Sequence, residues 1–442
     1  MRDLVTQKQI GAPSRYICEV TSRPPVGELV DHSTGEIFSF IKQSDATDAR
    51  RERFKLLDAS AGVLRMFFGD NPPIRKNGSK KLHRTCDCHR VTVTPTAQIL
   101  KSEKRKKAFF GGVAQCGSVW TCPICAAKIN ERKAAEMRIA FNQAPALAVR
   151  PHLVTFTAPH DAGDSIEELT VKIREALAAF WRERQVAKWK KSRGVVGNIR
   201  SFEVRYGRNG WHPHFHLIIF SHNSLLEDTA ILLEKWQACC VRVGLSMPNE
   251  YGLDIQDGSK AGEYICKFGS DGEILNTKSG SPVNWDAADE MTKGNTKKGK
   301  QGSLSPWDLL RGISEAENDE ERQRLRILFL FYARAMKGVS QVKWSRGLRQ
   351  FFELEPEKSD EEIVSEVDDS AKLLCHITLD EWRYLVKSCN LATVLELAEN
   401  GGSRAVARFL FGVLYGGEFE AFYRSFLHRQ DMLPDSSILV PK

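Results

Sequence analysis

The apolar and polar residues near the middle of the chain alternate as they do in β-strands. Residues 198–206 (NIRSFEVRY) and 214–220 (HFHLIIF) are two such runs, separated by the stretch GRNGW. Asn209 followed by Gly210 between two alternating runs is a strong signal for a tight turn. The pattern therefore predicts a β-hairpin at this point of the chain.

Runs on either side of this hairpin predict further strands and helices. Residues 151–160 (PHLVTFTAPH) are typical of a strand that ends at Pro159, and residues 251–259 (YGLDIQDGS) of an edge strand and turn. A serine or threonine followed three residues later by glutamate marks the start of two helices, at Ser165 and Thr378. The predicted helices cover residues 129–144, 165 to about 191, 225 to about 243, and 261–269, and a small helical segment follows residue 378.

The composition is that of a soluble globular protein with a substantial core. Of the 442 residues, 42% are hydrophobic. No apolar run approaches the roughly 18 residues that a membrane span needs, and the N-terminal MRDLVTQKQI lacks the apolar segment of a secretion signal. We therefore expect a cytoplasmic protein without a membrane partner. Thiols stay reduced in that compartment, so the 11 cysteines are expected to be core residues, metal ligands or reactive thiols.

The net charge of +8 is unevenly distributed. Residues 355–369 (EPEKSDEEIVSEVDD) hold eight acidic residues and one lysine, so the rest of the chain carries a net charge of +15. We expect this acidic run to be a linker. A basic body suits a polyanionic partner, although a solvated basic surface without a ligand has the same composition. Lys297 and Lys298, in the basic loop 293–303, are candidate contacts with a phosphate backbone.

Five cysteines lie between residues 86 and 125, in RTCDCHR and QCGSVWTCPICAAKI. A Cys-x-x-Cys pair followed by a helix lets two thiolates approach one ion, and a second pair from a distant loop completes a tetrahedral set. Such a set would be structural, because a catalytic zinc keeps an open coordination position. Cys86 competes almost equally with Cys88, His83 and His89 are alternative ligands, and reduced cysteines without a metal are the alternative interpretation. The predicted zinc ligands are Cys88, Cys116, Cys122 and Cys125.

Three histidines at alternate positions open the second strand of the predicted hairpin. Because alternate residues of a strand point to one face, His214 and His216 would project side by side and can hold one divalent ion. Pro213 cannot donate a ladder hydrogen bond, so we expect regular pairing to begin after it, with His212 at the strand entrance as an auxiliary residue. The hairpin makes Glu203 the nearest acidic candidate for a third ligand. On geometry alone, a metal site and core packing are equally supported.

The segments around these histidines resemble a known family. His-hydrophobic-His before an apolar run resembles the second motif of the HUH endonucleases, and residues 201–220 resemble the rolling-circle replication initiators of bacterial plasmids. Other segments agree in the expected order: CGSVWTCPICAAKI, VTFTAPH as the first motif, EYICKF as the tyrosine motif, then LSPWDLL and KWSRGLR. The resemblance covers about residues 83–350. It implies an α+β fold in which the histidines lie on a central strand of an antiparallel sheet flanked by helices.

The resemblance also implies a reaction. In the family, a tyrosine attacks a DNA phosphodiester, which produces a 5′-phosphotyrosine link and a free 3′-hydroxyl primer, and Tyr264 is the matching position. A phenol with a pKa of about 10 is a poor nucleophile at neutral pH, so a metal ion that polarises the phosphate is needed. His214 and His216 would bind that ion, which is Mg²⁺ or Mn²⁺ in the family. Lys267, one helical turn after Tyr264, would steady the phosphate or the phenolate.

The chain departs from those relatives that carry two tyrosines as Tyr-x-x-x-Tyr. Phe268 stands at the second position, so closure of the circle needs another group, such as a carboxylate-activated water or a second subunit. Glu263 is adjacent to Tyr264, but consecutive helical residues point about 100° apart. His160, at the end of the first motif, is a candidate DNA contact together with His212, or a cap for its own loop.

These features divide the chain into regions with separate expected roles. The predicted regions are an N-terminal region of unknown role (1–75), a cysteine-rich zinc-binding module (76–130), an HUH nicking domain (131–354), an acidic linker (355–369) and a small helical C-terminal segment (370–442).

The resemblance implies a plasmid or phage replication initiator that nicks one strand at an origin and later rejoins it. Its partners would be single-stranded or hairpin origin DNA, a host helicase and a DNA polymerase. Two alternatives stay open. An HUH transposase would use the same chemistry on transposon ends and transfer the strand to a new target. A zinc-containing DNA-binding regulator with an inactive HUH site would bind DNA and form no covalent product.

Overall fold

The computed structural model describes residues 29–30, 37–38, 45–76, 78–258, 303–415 and 418–432. These residues form an α+β fold in which antiparallel sheets are flanked by helices, as predicted. Within these ranges no helix has the length and apolar character needed to cross a membrane. The strands are β1 (Leu29–Val30), β2 (Ile37–Phe38), β3 (Ala97–Ser102), β4 (Ala108–Gly111), β5 (Arg150–Phe156), β6 (Val195–Gly207), β7 (Gly210–Ser221), β8 (Leu253–Asp257), β9 (Val342–Trp344) and β10 (Ala371–Ile377). The helices are α1 (Asp45–Leu64), α2 (Pro123–Gln143), α3 (Ile166–Arg182), α4 (Arg184–Arg193), α5 (Thr229–Arg242), α6 (Pro306–Glu315), α7 (Asp319–Ala335), α8 (Leu348–Phe351), α9 (Asp360–Ser365), α10 (Leu379–Lys387), α11 (Leu391–Leu414) and α12 (Phe419–Met432).

The largest sheet has the strand order β8-β5-β7-β6-β9, and all of its pairs are antiparallel. The predicted hairpin is confirmed, because β6 and β7 pair without interruption from Gly207 and Gly210 as far as Gly197 and Phe220. Gly210 has a φ of +82°, and a Cβ there would lie 2.9 Å from the Cα of Ala162, so both conformation and space require glycine. The predicted edge strand is also confirmed, since β8 lies at one edge of the sheet.

The two faces of this sheet differ along β7. On one face Phe215 and Leu217 are buried among side chains of α3 and α5. On the other face Ile218 and Phe220 pack against Met137 of α2 and other apolar residues. Toward the turn, this second face carries the histidines in place of apolar side chains. The site of interest therefore begins where the apolar cover of the second face ends.

A second, three-stranded sheet has the order β10-β3-β4 and forms a separate apolar core with α10, α11 and α12. The capping box predicted at Thr378 is confirmed, with Glu381 at its third position. The prediction of a helical C-terminal segment is incomplete, because the segment starts with β10, which pairs with β3. Cys375, His376 and Ile377 are three consecutive buried residues at the end of this strand, a run too short to separate from a loop in the sequence.

The acidic run 355–369 contains the short helix α9. Ile363 and Val364 of this helix are buried in the main core, and Asp360 pairs with Lys133 of α2 at 2.5 Å. This part of the run therefore packs on the fold through two apolar side chains and an ion pair. A linker is expected from the charge of the run alone. Charge does not show that Ile363 and Val364 within the run are buried apolar residues.

The helix predicted from Ser165 to about residue 191 is two helices. Glu183 leaves the helical conformation, with φ −62° and ψ 130°, and its carboxylate pairs with Arg242 at 2.7 Å. The break allows Trp189 of α4 to be buried, where its indole N–H donates to Asp228 at 2.8 Å. The strand predicted to end at Pro159 ends three residues earlier, at Phe156.

Candidate functional site

The histidines of β7 lie where the register of the hairpin brings an acidic strand residue beside them. Glu203 is the direct cross-strand partner of His214, and Ser201 is that of His216. All three candidate ligand side chains are buried, at 3% exposure for Glu203, 7% for His214 and 8% for His216. A buried carboxylate and two imidazoles on one face form a compact set of metal-ligand donors.

The carboxylate of Glu203 has its two oxygens in different environments. Its Oε1 accepts a 2.8 Å hydrogen bond from Nε of Arg205. Its Oε2 has no hydrogen-bond partner although it is buried, and it lies 3.6 Å from Nε2 of His214 and 3.7 Å from Nε2 of His216. Buried polar atoms are almost always satisfied, so this oxygen requires an explanation. One cation bound about 2.2 Å from each of these three atoms would satisfy it.

The other nitrogen of each imidazole is occupied, which leaves Nε2 directed at Glu203. Nδ1 of His214 lies 3.2 Å from the carbonyl oxygen of His212, and Nδ1 of His216 lies 3.1 Å from Oγ1 of Thr155. A carbonyl oxygen accepts only, so Nδ1 of His214 donates to it and Nε2 faces Glu203. Metal-binding histidines are typically oriented in this way by a second polar contact.

Neighbouring side chains stabilise the negative charge of Glu203. Burial alone would raise the pKa of Glu203, but His214, His216 and Arg205 outweigh that effect and lower this pKa below its ordinary value. Glu203 is therefore ionised at neutral pH and available as an anionic ligand. The position of Arg205, two residues after Glu203 on the same face of β6, was not predicted from the sequence although the alternation of the strand contains it.

His212 lies within β7 and belongs to a different hydrogen-bonded group. The expectation that pairing begins after Pro213 is wrong, because Pro213 is paired with Val204. The partner strand β5 pairs with β7 only as far as Phe215, so Pro213 has no neighbour on the β5 side and its missing N–H costs nothing there.

Nδ1 of His212 contacts Nε2 of His160 at 2.8 Å, and Nδ1 of His160 donates to the Asn209 carbonyl at 2.7 Å. Burial, followed by the nearby histidines, lowers the pKa of His212 to about 3, so its ring is neutral at pH 7. These two candidate DNA contacts thus form a hydrogen-bonded pair at the turn end of the site, with Thr157 3.3 Å from the remaining nitrogen of His212.

The cysteine cluster is a second candidate metal centre, at the start of α2. The Sγ atom of Cys88 lies 3.6 Å from those of Cys122 and Cys125, and Cys116 lies 3.7 Å from Cys125. Four sulfurs placed tetrahedrally at the usual Zn–S length of about 2.3 Å would be about 3.8 Å apart. All four side chains are buried, so the spacing fits one structural ion.

The structure separates the competing ligand candidates near this cluster. Cys88 lies with the other three sulfurs, whereas the thiol of Cys86 donates to the carbonyl of Ala61 at 3.5 Å. Nδ1 of His83 accepts from the backbone of Thr85, and His89 lies outside the cluster. Burial, and next the neighbouring sulfurs, raise the pKa of the Cys122 thiol. Four thiolates at this spacing therefore need a compensating cation.

The remaining predicted site residues fall outside the described part of the chain. They are Glu263, Tyr264, Lys267, Phe268, Lys297 and Lys298. Their assignments stay predictions from the sequence.

Comparison with known proteins places residues 112–387 in a match to the family Rep_1, described as replication protein. The match includes every residue of the Glu203 site and three of the four clustered cysteines. It covers more than half of the chain.

Two curated proteins are similar to this chain over shorter stretches. "Protein rep" of Streptomyces lividans is 24% identical over 308 residues, which cover 55% of this chain and 65% of that protein. "Neomycin resistance protein" of Streptomyces cyanogenus is 31% identical over 133 residues, which cover 24% of this chain and 30% of that protein. The chain thus spans less than two thirds of the length of either relative. No solved structure matches it.

Proposed function

This chain belongs to the replication protein family Rep_1, and from that membership we propose that it initiates rolling-circle replication of a plasmid or related phage. In this proposal the chain nicks one strand of single-stranded or hairpin origin DNA in the cytoplasm and later rejoins it. A host helicase and polymerase would extend the freed 3′ end. The observation that carries the proposal is the buried group formed by Glu203 of β6 with His214 and His216 of β7, the central strand of the sheet.

The nicking step requires a nucleophile and a stabilised phosphate. We infer that the phenolic oxygen of Tyr264 bonds to the scissile phosphorus while the bond from phosphorus to the 3′ oxygen breaks. The phenol gives up its proton, and the leaving oxygen gains one to become the 3′-hydroxyl. Lys267 would stabilise negative charge on the phosphate. These two roles derive from the family resemblance.

Glu203, His214 and His216 would hold a divalent ion, which when bound would polarise the scissile phosphate. Two imidazoles with one carboxylate favour Mn²⁺ over Mg²⁺, which prefers oxygen ligands. Arg205 would keep Oε2 of Glu203 directed at both histidines by holding Oε1. The fold class, an antiparallel sheet with the histidines on its central strand, supports assignment to the HUH endonucleases. The four cysteines would hold a structural Zn²⁺.

The proposal is tested by a covalent-adduct assay. The chain is incubated with Mn²⁺ and 3′-labelled single-stranded DNA carrying the origin of the replicon that encodes it, and labelled protein is resolved under denaturing conditions. We expect a labelled adduct with the wild-type chain and none with Tyr264→Phe, because phenylalanine has no nucleophilic oxygen. An undiminished adduct in that variant would overturn the nucleophile assignment. DNA binding without any wild-type adduct would instead favour the regulator alternative.

Arg205 offers a prediction in which two physical effects have opposite signs. Arg205→Met removes a positive charge beside the proposed cation site, and charge alone would tighten Mn²⁺ binding. It also removes the hydrogen bond that holds Glu203, and losing such a contact weakens metal binding by about tenfold or more. We expect the second effect to dominate, so calorimetry should show weaker Mn²⁺ binding.

Arg208 provides the matched control for this prediction. It is exposed in the turn of the same hairpin and belongs to no ion pair among the described residues. Arg208→Met removes the same charge three residues away and should leave Mn²⁺ affinity nearly unchanged. Arg205→Lys, which keeps the charge and one donor, should restore part of the loss. Tighter binding by Arg205→Met would refute the positioning role.

A further inference from the structure

The turn between β3 and β4 is the most basic short segment that the structure describes outside the proposed nicking site. Five of its seven residues from 101 to 107 are lysine or arginine, and Glu103 is the only acidic one. Residues 103–107 are all exposed. The turn joins β3 and β4 at one end of the three-stranded sheet, where β3 and β4 are anchored in the second core by Ile99 and Phe110.

The backbone of the turn is held in place by several hydrogen bonds. Ser102 N–H donates to the carbonyl of Lys107 at 2.9 Å, and its Oγ accepts from the N–H of Arg105 at 3.0 Å. Ser370, just before β10, accepts the N–H of Glu103 through its carbonyl at 3.0 Å. These hydrogen bonds hold the backbone of the turn in one conformation, from which its side chains project.

Two lysines at the tip remain without a counter-charge. Arg105 pairs with Asp368 at 3.0 Å, and Glu103 itself pairs with Lys372 at 2.5 Å. Lys104 and Lys106, in contrast, are exposed and have no ion-pair partner among the described residues. Asp368 thus compensates Arg105 and Glu103 compensates Lys372, which leaves the charges of Lys104 and Lys106 uncompensated.

The backbone at Lys106 adds a second observation. Its φ is +55°, a left-handed conformation in which glycine or asparagine is more comfortable than lysine. Lys106 therefore occupies a position where glycine or asparagine would relieve the backbone strain. Strained positions of this kind cluster at binding sites.

We propose that the β3–β4 turn contacts the phosphate backbone of duplex DNA beside the nicking site, through Lys104 and Lys106. The proposal rests on the proposed function, which makes DNA the polyanion concerned. Duplex DNA presents the denser array of phosphates to an exposed cationic turn, whereas the covalent step takes a single strand. The turn lies before residue 112, where the family match begins.

The test compares two lysine pairs of equal charge. Lys104→Ala with Lys106→Ala is compared with Lys188→Ala with Lys191→Ala, a pair of exposed lysines on α4 that also have no ion-pair partner in the described part of the chain. Fluorescence anisotropy measures binding to a labelled origin duplex and to a single strand of the same length, over a range of salt concentrations. Circular dichroism checks the fold of each variant.

The turn variant should bind the duplex roughly tenfold more weakly, and its plot of log K against log salt should flatten by about 1.8, the value for two lost phosphate contacts. The α4 variant should change far less. Equal losses in both variants, an unchanged duplex affinity, or a loss confined to the single strand would each overturn the proposal.

Adduct formation on short single-stranded DNA should be unchanged in the turn variant. Absence of an adduct in the wild-type chain would refute the proposed function and leave this binding result unaffected.

Discussion

Replacing both His214 and His216 with alanine is expected to abolish covalent adduct formation. These imidazoles supply two of the three proposed ligands, and Oε2 of Glu203 alone is too weak a site to retain a divalent ion. Metal polarisation of a phosphate contributes several kcal/mol to the transition state, so the rate should fall by about 10³-fold or more. The labelled-adduct assay and Mn²⁺ calorimetry should both show the loss.

His222 provides the control for the histidine variant. It lies just beyond the end of β7, is exposed, and contacts the carbonyl of Ala148 rather than the site. His222→Ala should keep full adduct formation and Mn²⁺ binding. A double variant of His214 and His216 that still forms the adduct at the wild-type rate would show that the buried group is a packing arrangement with no role in nicking.

The hairpin explains why so much of this site could be predicted from the sequence. The short turn after Gly207 fixes the register of β6 against β7, and this register places Glu203 opposite His214. Alternation then puts His214 and His216 on one face. Both steps use only local sequence, which is why the candidate ligand group is the part of the site that the sequence predicts best.

The remaining contacts of the site depend on distant parts of the chain. Thr155 reaches His216 only because β5 pairs with β7 across about 60 residues, and no local pattern specifies that register. The same limit applies to β10, which pairs with β3 across some 270 residues. Side-chain orientation is equally non-local, since the choice between Cys86 and Cys88 depends on which thiol faces the start of α2.

The error at Pro213 has a different origin. The rule that proline is excluded from interior strand positions was applied to the whole of β7. In the structure β5 pairs with β7 only from Phe215 to Ser221. On the turn side of Phe215, which includes Pro213, β7 has a neighbouring strand on one side only. A strand can therefore change its character along its length, and the histidines occupy the stretch where that change occurs.

Cys122→Ser is expected to remove zinc and to destabilise the chain more than any substitution at the Glu203 site. Cys122 is fully buried and caps the N-terminus of α2, with its sulfur 3.4 Å from the N–H of Cys125. Structural zinc binds with about 10–16 kcal/mol in zinc-finger peptides, which is comparable to the whole stability of about 5–15 kcal/mol of a typical domain. Elemental analysis should show loss of the metal, and the melting temperature should fall by tens of degrees.

Cys86 is the matched control, because it is a buried cysteine of the same segment that lies outside the cluster. Cys86→Ser should retain zinc, and loss of zinc from this variant would mean that the ligand set is wrong.

Loss of zinc should affect the Glu203 site, whereas loss of the Glu203 site should leave the zinc centre intact. Loss of zinc frees α2, whose Met137 packs on the same face of β7 that carries His214, so adduct formation should fall with it. The variant lacking His214 and His216 should keep its zinc and should lose less in melting temperature than Cys122→Ser, because the four cysteine ligands lie outside the Glu203 site. An adduct that survives complete removal of zinc would show that α2 holds its place on β7 without the metal.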